Sequence, residues 1–260
     1  FCHEPVGGAI GRIVGHIEGC RVIYMAHGFH FYKGAPKTSF IYYAVEKILS
    51  KYTDVLITIN QEDYMASLQF HAKDQVLIPG IGLDTSKFIY NPNRIYLRKE
   101  LKLNNQDLIL LSIGELITRK NHEIIINAIA EINNPKIHYV VAGDGNLKCQ
   151  LLKKIWKYGL NNVHLLGYRS DISKLCNSSD VFILPSFQEG LSVAMMEAMS
   201  CGLPVIASRI RGNVDLIEHG KGGYLVDTTD VKGYAEVIMK LYSNPKDRDV
   251  MGKFNMKKVQ

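Results

Sequence analysis

The chain has 260 residues, of which 47% are hydrophobic and 22% are charged. These fractions are those of folded globular proteins and exclude a disordered or collagen-like chain. No stretch approaches the roughly 18–20 consecutive apolar residues of a membrane-spanning helix. Thirty-one lysines and arginines against 25 aspartates and glutamates give a net charge of +6. This surplus favours a nucleotide, a phosphorylated substrate or an anionic membrane surface as partner, and the lack of dense basic runs argues against nucleic acid.

Five cysteines are scattered along the sequence, and no two form a Cys-x-x-Cys pair. This pattern argues against a zinc site or a disulfide framework and favours a reducing compartment, so we expect a cytoplasmic protein. A signal peptide is not predicted, because no basic segment precedes an apolar core and a cleavage site. The sequence opens at Phe1 with what resembles the end of a strand. We therefore expect a fragment that lacks an N-terminal part.

The first half alternates between short β-branched runs and longer stretches with helical spacing. In chain order the pattern predicts a strand, a helix, a strand, a helix and a strand, at residues 21–25, 40–51, 54–59, 61–70 and 75–78. A segment rich in Asn, Pro and Arg at 91–98 breaks both periodicities and is the predicted linker. The sequence thus predicts two domains, residues 1–92 and 93–260.

The alternation restarts in the second half. Predicted strands lie at residues 108–113, 137–142, 163–166, 181–184, 205–207 and 223–226, with helices between them, including 121–132 and 147–158. Strands that are apolar throughout are typical of parallel sheets covered by helices on both faces. We predict an α/β protein of two Rossmann-like, doubly wound parallel-sheet domains that face a cleft, the first of them incomplete. Ligands of such domains bind at the carboxyl ends of the strands.

The segment after the predicted strand 181–184 carries the strongest chemical signal. Glu189 and Gly190 lie on the loop that enters the next helix, and Glu197 follows eight residues after Glu189, about two helical turns. Unpaired amides at the start of a helix suit a diphosphate. The amides in question are those of Leu191, Ser192 and Val193. The two carboxylates can then face one cleft, one binding sugar hydroxyls and the other a ribose.

A simpler interpretation is that Glu189 caps the helix and Glu197 lies on its surface. Glu197 is embedded in the apolar run A-M-M-E-A-M. A carboxylate in so apolar a helix is costly unless it is paired or bound to something. This favours ligand contact for Glu197.

Residues 189–197, followed by C-G-L-P-V-I-A at 201–207, resemble the Glu-(seven residues)-Glu signature of retaining glycosyltransferases of family 4. These are two-domain enzymes of the GT-B type that transfer sugars from nucleotide donors. Other stretches resemble the same family in the same order, namely S-I-G-E-L at 112–116 with K-N-H at 120–122, V-A-G-D-G at 141–145 and L-G-Y-R-S-D at 166–171. M-A-H-G-F-H-F at 25–31 is similar to a segment of bacterial polysaccharide-assembly members.

The resemblance implies a role for each motif. Glu189 would hold the hydroxyls of the donor sugar near the reacting carbon, and Glu197 would bind the ribose hydroxyls. The amides after Gly190 would hold the diphosphate, while Lys120 would neutralise the charge that builds on the leaving phosphate. His27 would lie near the donor sugar and the acceptor, where its imidazole could orient the incoming hydroxyl.

One position departs from the family pattern. Many members carry Arg directly after the glycine that corresponds to Gly114, whereas this sequence has Glu115, whose charge would repel a diphosphate. Arg119 is either its substitute as a phosphate ligand or a solvent-facing residue.

Four further residues receive donor-binding roles from the resemblance. Gly143 and Gly145 would let the backbone approach the nucleotide. Tyr168 and Arg169 lie where the family places the nucleobase. Loop packing is the alternative for Tyr168.

Three other features give weaker signals. His3 stands at what resembles a strand end and is a lesser catalytic candidate. The Asp-x-Asp triplet at 247–249 follows Asn244-Pro245 and is predicted to be the polar first turn of a helix rather than a metal site. The glycine-rich run at 7–11 is predicted to be the close-packed start of a helix rather than a dinucleotide loop. We therefore expect neither a metal nor a cofactor.

Together these features predict a retaining, metal-independent hexosyl- or N-acetylhexosaminyl-transferase. Its donor is expected to be a nucleotide-diphosphate sugar, a UDP-sugar in particular, and its acceptor a lipid-linked sugar or a glycan in surface polysaccharide synthesis. Two alternatives stay open, namely a GT-B-like nucleotide-sugar epimerase and a non-catalytic nucleotide- or glycan-binding module. The net charge and the aromatic residues Phe29, Phe31 and Tyr32, predicted to be exposed, also suggest peripheral contact with the inner face of the cell membrane.

Overall fold

A computed structural model describes residues 1–80, 82–91 and 94–259. The chain divides into two compact units, one formed by Phe1–Gly82 with Glu189–Leu191 and the other by Leu83–Gln188 with Ser192–Gln260. The predicted boundary between residues 92 and 93 lies outside the described residues. The division into domains 1–92 and 93–260 stays a prediction.

Within the described residues, the first unit holds a four-stranded parallel sheet in the order β1-β2-β3-β4. In chain order its elements are β1 (Cys2–His3), α1 (Pro5–Ile17), β2 (Ile23–Ala26), α2 (Phe40–Leu49), β3 (Val55–Thr58), α3 (Gln61–Ser67) and β4 (Asp74–Leu77). His3 is in register with Met25, and Ala26 is in register with Thr58. The carboxyl ends of these strands therefore meet at one edge, from which the loops to α2 and α3 begin.

The buried core of the first unit is small and aromatic. Tyr24, Phe29 and Phe70 are its large rings, and Phe29 stacks on Phe31 with ring centroids 4.7 Å apart. Phe29 is only 2% exposed, so the prediction of an exposed ring at this position was wrong. An aromatic residue in a loop carries no periodicity, and its sequence neighbours cannot show that the loop folds back over the sheet.

Helix α1 packs its glycines against the sheet. A Cβ atom at Gly8 would lie 2.3 Å from the Tyr24 ring, and one at Gly11 would lie 2.8 Å from Cys2. The close-packed helix start predicted for residues 7–11 is thus confirmed. The opposite side of α1 exposes apolar side chains, namely Val6, Ile10, Ile13, Val14 and Ile17.

A buried ion pair joins α1 to α2. Arg12 is 1% exposed, and its guanidinium forms two hydrogen bonds of 2.7 and 3.2 Å with the Glu46 carboxylate. The same guanidinium lies 3.9 Å above the centre of the Tyr24 ring. In α2 the buried residues are Glu46 and Leu49, whereas the apolar side chains of Ile41, Val45 and Ile48 are exposed.

The second unit holds, within the described residues, a six-stranded parallel sheet in the order β10-β9-β8-β5-β6-β7. Its helices are α4 (Ile95–Leu101), α5 (His122–Ile132), α6 (Lys148–Lys157), α7 (Ile172–Asn177), α8 (Val193–Ser200), α9 (Asn213–Leu216), α10 (Val231–Ser243) and α11 (Pro245–Val259). Its strands are β5 (Leu108–Ile113), β6 (Ile137–Ala142), β7 (Val163–Gly167), β8 (Val181–Leu184), β9 (Val205–Ser208) and β10 (Gly223–Val226). The order reverses between β5 and β8, which is the switch point of a doubly wound fold.

Four of the six described strands of this sheet are buried along their whole lengths. All residues of β6, β8, β9 and β10 are buried, and helices on the sheet complete an aliphatic core around residues such as Leu110 and Ile125. The predicted bounds of β5, β6, β8 and β10 are confirmed to the residue. The predicted class, an α/β protein with doubly wound parallel strands, is confirmed.

The segment predicted as a linker contains a helix. Helix α4 begins at Ile95, and Arg98 within it is buried with its guanidinium bonded to the Asp180 carboxylate at 2.7 Å. Asp180 also accepts the amide of Ile109 at 2.9 Å, so α4 is fixed at the amino ends of β5 and β8. This helix was not predicted within the linker segment, because it is held by ionic contacts and the single buried Leu97 rather than by an apolar stripe.

The Asp-x-Asp triplet lies in the first turn of α11, as predicted. Arg248 between the two aspartates donates to the carbonyl oxygens of Leu241 and Tyr242, which joins the start of α11 to the end of α10. Across the described ranges, no helix combines the length and the apolar character needed to cross a bilayer.

Candidate nucleotide-sugar site

The loops that follow β5, β6 and β7 are joined by backbone hydrogen bonds at the carboxyl edge of the second sheet. Leu116 donates to the carbonyl of Asp144 at 3.0 Å, and Gly143 donates to the carbonyl of Gly167 at 2.8 Å. The Leu147 amide donates to the carbonyl of Leu116 at 2.9 Å. Three of the stretches singled out in the sequence thus form one connected layer beside the switch point.

Gly143 and Gly145 are required by this layer. A Cβ atom at Gly143 would lie 1.9 Å from the carbonyl oxygen of Gly114, and one at Gly145 would lie 2.6 Å from that of Leu116. Real side chains cannot occupy either position without moving the loop after β5. The glycines therefore allow backbone to approach backbone, and their predicted contact with a nucleotide stays a prediction.

Lys120 lies next to this layer, at the end of a short 3₁₀ turn, Thr118–Lys120. The space beside the Gly114 α-carbon is occupied by the lysine stem, since a Cβ there would be 3.2 Å from Lys120 Cε. The side chain of Glu115 is exposed. Lys120 is thus held along the loop that follows β5, at the sheet edge where a phosphate is expected.

A buried histidine supports the same loop and was not singled out as a site residue from the sequence. His122 Nε2 lies 3.2 Å from the carbonyl oxygen of Glu115, and Nδ1 lies 2.8 Å from the Tyr139 hydroxyl. Burial lowers the pKa of His122 to about 4. The imidazole is neutral at pH 7, so it can donate to the carbonyl without placing a charge in the core. Its membership in the K-N-H stretch was the available sequence signal.

Arg119 and Asn121 connect the loop after β5 to the loop after β8. The Arg119 guanidinium donates to the carbonyl of Gln188 at 3.1 Å. Asn121 Nδ2 donates to the carbonyls of Pro185 at 3.1 Å and Thr228 at 2.9 Å. Arg119 therefore contacts the segment that leads into Glu189, and its role as a phosphate ligand stays a prediction. Sequence reasoning missed Asn121 because an amide that bonds only to carbonyls leaves no pattern.

Glu189 lies in the loop and not in the helix. Helix α8 begins at Val193, after Ser192, whose hydroxyl accepts the amide of Met195 at 3.3 Å. The predicted position of Glu189 on the loop that enters the helix is confirmed, whereas the spacing of two helical turns does not apply, because only Glu197 lies in helical geometry. Glu189 is 7% exposed. Within the described part of the chain, no hydrogen bond uses the amides of Leu191, Ser192 and Val193, as expected for the first turn of a helix.

Glu197 is a half-buried carboxylate in α8. Among residues 1–80, 82–91 and 94–259 it forms neither a hydrogen bond nor an ion pair through its side chain. Burial raises its pKa. A carboxylate that loses water without gaining a protein donor is destabilised, and donors from a ligand would relieve that cost.

His27 and Gly190 meet in the first unit. His27 follows β2, and its Nε2 lies 3.0 Å from Nδ1 of His3, which ends the neighbouring β1. A Cβ atom at Gly190 would lie 1.7 Å from the carbonyl oxygen of His27. Only glycine fits at position 190, and the predicted residues His27, His3 and Gly190 are brought together.

Comparison with known proteins decides the family. Residues 93–258 match the profile of the family described as glycosyl transferases group 1. The chain is 37% identical over 255 residues to EpsD of Bacillus subtilis, which carries the name of a glycosyltransferase, covering 94% of this chain and 67% of that protein. The chain belongs to the glycosyl transferases group 1 family. The predicted resemblance and the predicted activity, glycosyl transfer, are confirmed.

Another relative and a solved structure extend the comparison. The chain is 31% identical to the UDP-Gal:alpha-D-GlcNAc-diphosphoundecaprenol alpha-1,3-galactosyltransferase of Escherichia coli, covering 96% of this chain and 67% of that enzyme. It thus spans about two thirds of the length of both relatives. The structure of Anabaena HepE in complex with UDP has a TM-score of 0.87 at 23% identity, covering 97% of this chain and 71% of that one, and shares the fold.

In this glycosyltransferase, the two residues predicted at the nucleobase have different environments. The Tyr168 ring is 83% exposed, so it does not serve as loop packing. The Arg169 guanidinium instead bonds to Asp171, Glu100 and the Tyr96 hydroxyl, which tie it to α4. Contact between Tyr168 and a nucleobase stays a prediction. Because the Arg169 side chain is engaged, any contact of Arg169 with the base would use its backbone. Over the described residues, no group of three His, Cys, Asp or Glu side chains could hold a metal ion.

Proposed function

We propose that this glycosyltransferase takes a sugar from a UDP-sugar and transfers it, with retention of configuration, to a lipid-linked sugar or a glycan during surface polysaccharide synthesis. The shared fold with HepE, which is solved with UDP and with UDP-glucose, supports the donor class. The Escherichia coli relative, named for transfer from UDP-Gal to a GlcNAc-diphosphoundecaprenol, supports the acceptor class.

The observation that carries the proposal is the pairing of Glu197 with the start of α8. An unpartnered, half-buried carboxylate suits the two hydroxyls of a ribose, which can both donate to it. The amides at the first turn of the same helix suit a diphosphate. A nucleoside diphosphate carries both groups, with the phosphates attached to the ribose, so one ligand satisfies both Glu197 and the start of α8.

The remaining residues have roles in the transfer step. Lys120 would stabilise the charge that develops on the departing diphosphate, and Glu189 would hold the sugar hydroxyls. His27 would orient the acceptor hydroxyl. Retention by a front-face reaction requires the acceptor to attack from the side on which the diphosphate leaves, so the leaving phosphate can accept the acceptor proton.

The proposed reaction needs neither a metal ion nor a cofactor, because Lys120 and the amides supply the positive charge. We place the enzyme in the cytoplasm, where nucleotide sugars are made, with peripheral contact at the membrane that holds a lipid-linked acceptor. Nucleic acid has no place in this proposal.

The test is a transfer assay with a panel of UDP- and GDP-sugars in EDTA, comparing Glu189→Gln, Lys120→Ala and the exposed control Glu131→Gln. We expect transfer from a UDP-sugar, at least about 100-fold slower turnover in the two site variants, and an unchanged control. Dependence on added divalent metal, or full activity of either site variant, would contradict these roles. Release of free sugar without an acceptor would instead indicate an epimerase or a hydrolase.

A further inference from the structure

A pocket of about 400 Å³ lies in the first unit, between the loop that leads into α2 and the start of α3. Four aromatic residues line it, namely Phe31, Tyr32, Phe40 and Tyr43. Phe31 and Tyr43 meet edge to face with centroids 5.2 Å apart, and both rest on the core ring of Phe70. The pocket thus has a preformed aromatic wall of the kind that stacks against a sugar ring.

Two cations and two carboxylates also line the pocket. Asp63 is buried and accepts hydrogen bonds from the Phe29 amide at 3.1 Å and from Asn60 Nδ2 at 2.7 Å. Glu62 accepts the backbone amide of Lys33 at 2.8 Å. Both carboxylates are therefore engaged in fixing the loop to α3.

The lysines are differently placed. The side chains of Lys33 and Lys37 are exposed, and within the described ranges neither ammonium group forms an ion pair or a hydrogen bond. Neither ammonium group lies within 4 Å of either carboxylate, both of which accept hydrogen bonds from backbone and amide donors. Among the described residues, the pocket therefore offers two ammonium groups outside ion pairs beside its aromatic rings.

An apolar surface adjoins the same pocket. Phe40, which lines it, is 68% exposed, and Ile41 and Tyr42 follow it in α2 with exposed side chains. Aromatic rings, exposed lysines and an adjoining apolar surface together match a molecule that carries a sugar, an anionic group and a hydrocarbon chain.

We propose that this pocket binds the sugar and diphosphate of a lipid-linked acceptor, with the sugar against Phe31, Phe40 and Tyr43 and the diphosphate at Lys33 and Lys37. The inference rests on the proposed function and assigns the acceptor group to particular residues. Asp63 links the pocket to His27. Its carboxylate accepts a hydrogen bond from the amide of Phe29, which follows His27 by two residues. The lipid chain then leaves over the exposed start of α2.

The test compares two soluble probes that carry the same GlcNAc, one a phenoxyundecyl diphosphate and the other an uncharged phenoxyundecyl glycoside. Calorimetry without donor measures binding of each probe to the parent chain, to the Lys33→Gln/Lys37→Gln double variant and to Lys51→Gln. Lys51 is an exposed lysine of the same unit outside the pocket. We expect the double variant to bind the diphosphate probe about 10-fold more weakly and the uncharged probe equally well, and Lys51→Gln to match the parent.

Two further readouts separate this inference from the proposed function. Phe40→Ala, at an exposed position, should weaken the binding of both probes by a similar factor. In transfer assays the double variant should raise the acceptor KM while leaving kcat and the donor KM within about twofold. Unchanged diphosphate binding in the double variant, or equal loss for both probes, would overturn the inference. Failure of the proposed function would instead appear as a parent chain that transfers no sugar. The binding measurement does not depend on transfer, so the two failures are distinguishable.

Discussion

The parallel sheets of the two units differ in how deeply they are buried and in the side chains that form their cores. In the second unit four strands are buried at every residue, and their core is a continuous aliphatic cluster. In the first unit β4 is exposed over most of its length, and the core depends on aromatic rings and on the buried Arg12–Glu46 pair.

The two units therefore differ in how much apolar surface they bury and how much they expose. The second unit supports its loops on a largely buried sheet. The first unit exposes apolar side chains on both α1 and α2, which leaves a surface for a partly apolar acceptor. The same α/β plan thus gives a largely buried sheet in one unit and exposed apolar helix surfaces in the other.

The largest effect is expected from Gly190→Ala, at the segment that groups with the first unit although its sequence neighbours group with the second. The new Cβ would lie 1.7 Å from the His27 carbonyl oxygen, so the segment that carries Glu189 must move. Because misplacement by about 1 Å can cost about 100-fold in rate, we expect turnover to fall by that order. Gly7→Ala is the control, since a Cβ at Gly7 meets no atom within 4 Å. Equal turnover of the two variants would contradict the close approach.

A smaller but selective effect is expected from Arg12→Ala. Removing the guanidinium leaves Glu46 as an unpaired buried charge, which should lower the free energy of unfolding of the first unit by about 3–5 kcal/mol. Urea titrations that follow each unit should show the loss in the first unit alone. The double variant Arg12→Met/Glu46→Leu removes both charges and should recover most of the loss. Equal destabilisation of both units would show that they do not unfold separately.

The smallest expected effect concerns acid stability of the second unit. The pKa of His122 is lowered by burial to about 4, whereas the unfolded chain has the ordinary value near 6.5. Between these values the unfolded state binds a proton that the native state does not. The free energy of unfolding should therefore fall as the pH drops from about 6.5 to about 4, by up to about 1.4 kcal/mol per pH unit.

Comparing His122→Gln with the parent chain across this pH range isolates the contribution of His122 from those of other buried histidines. The variant should show a shallower decrease in the free energy of unfolding with falling pH. Parallel curves for the two proteins would mean that His122 is protonated in the native state.

The sequence was most informative where one residue type dominates a segment. Strands β5, β6, β8 and β10 were predicted to the residue, because each is a short, largely apolar run bounded by polar or turn residues. Helix α4 was missed because one of its two buried positions is filled by Arg98, which the hydrophobic pattern counts as polar, so Leu97 alone gives no helical period. The loop ring of Phe29 was misjudged for the reverse reason, since an apolar side chain in a loop gives no sign of its burial.

Of the candidate site, the sequence alone determined which loops carry chemistry, since strand ends and glycine-rich turns are local features of the chain. It also determined that Glu197 stands in an apolar helix, which is a property of its immediate neighbours. Only the tertiary structure decided that Asn121 bonds to Pro185, that Arg169 is tied to α4, and that Gly190 touches His27. Those contacts join residues more than 60 positions apart in the chain, and a pair so distant is fixed by sheet order and packing, which no local pattern encodes.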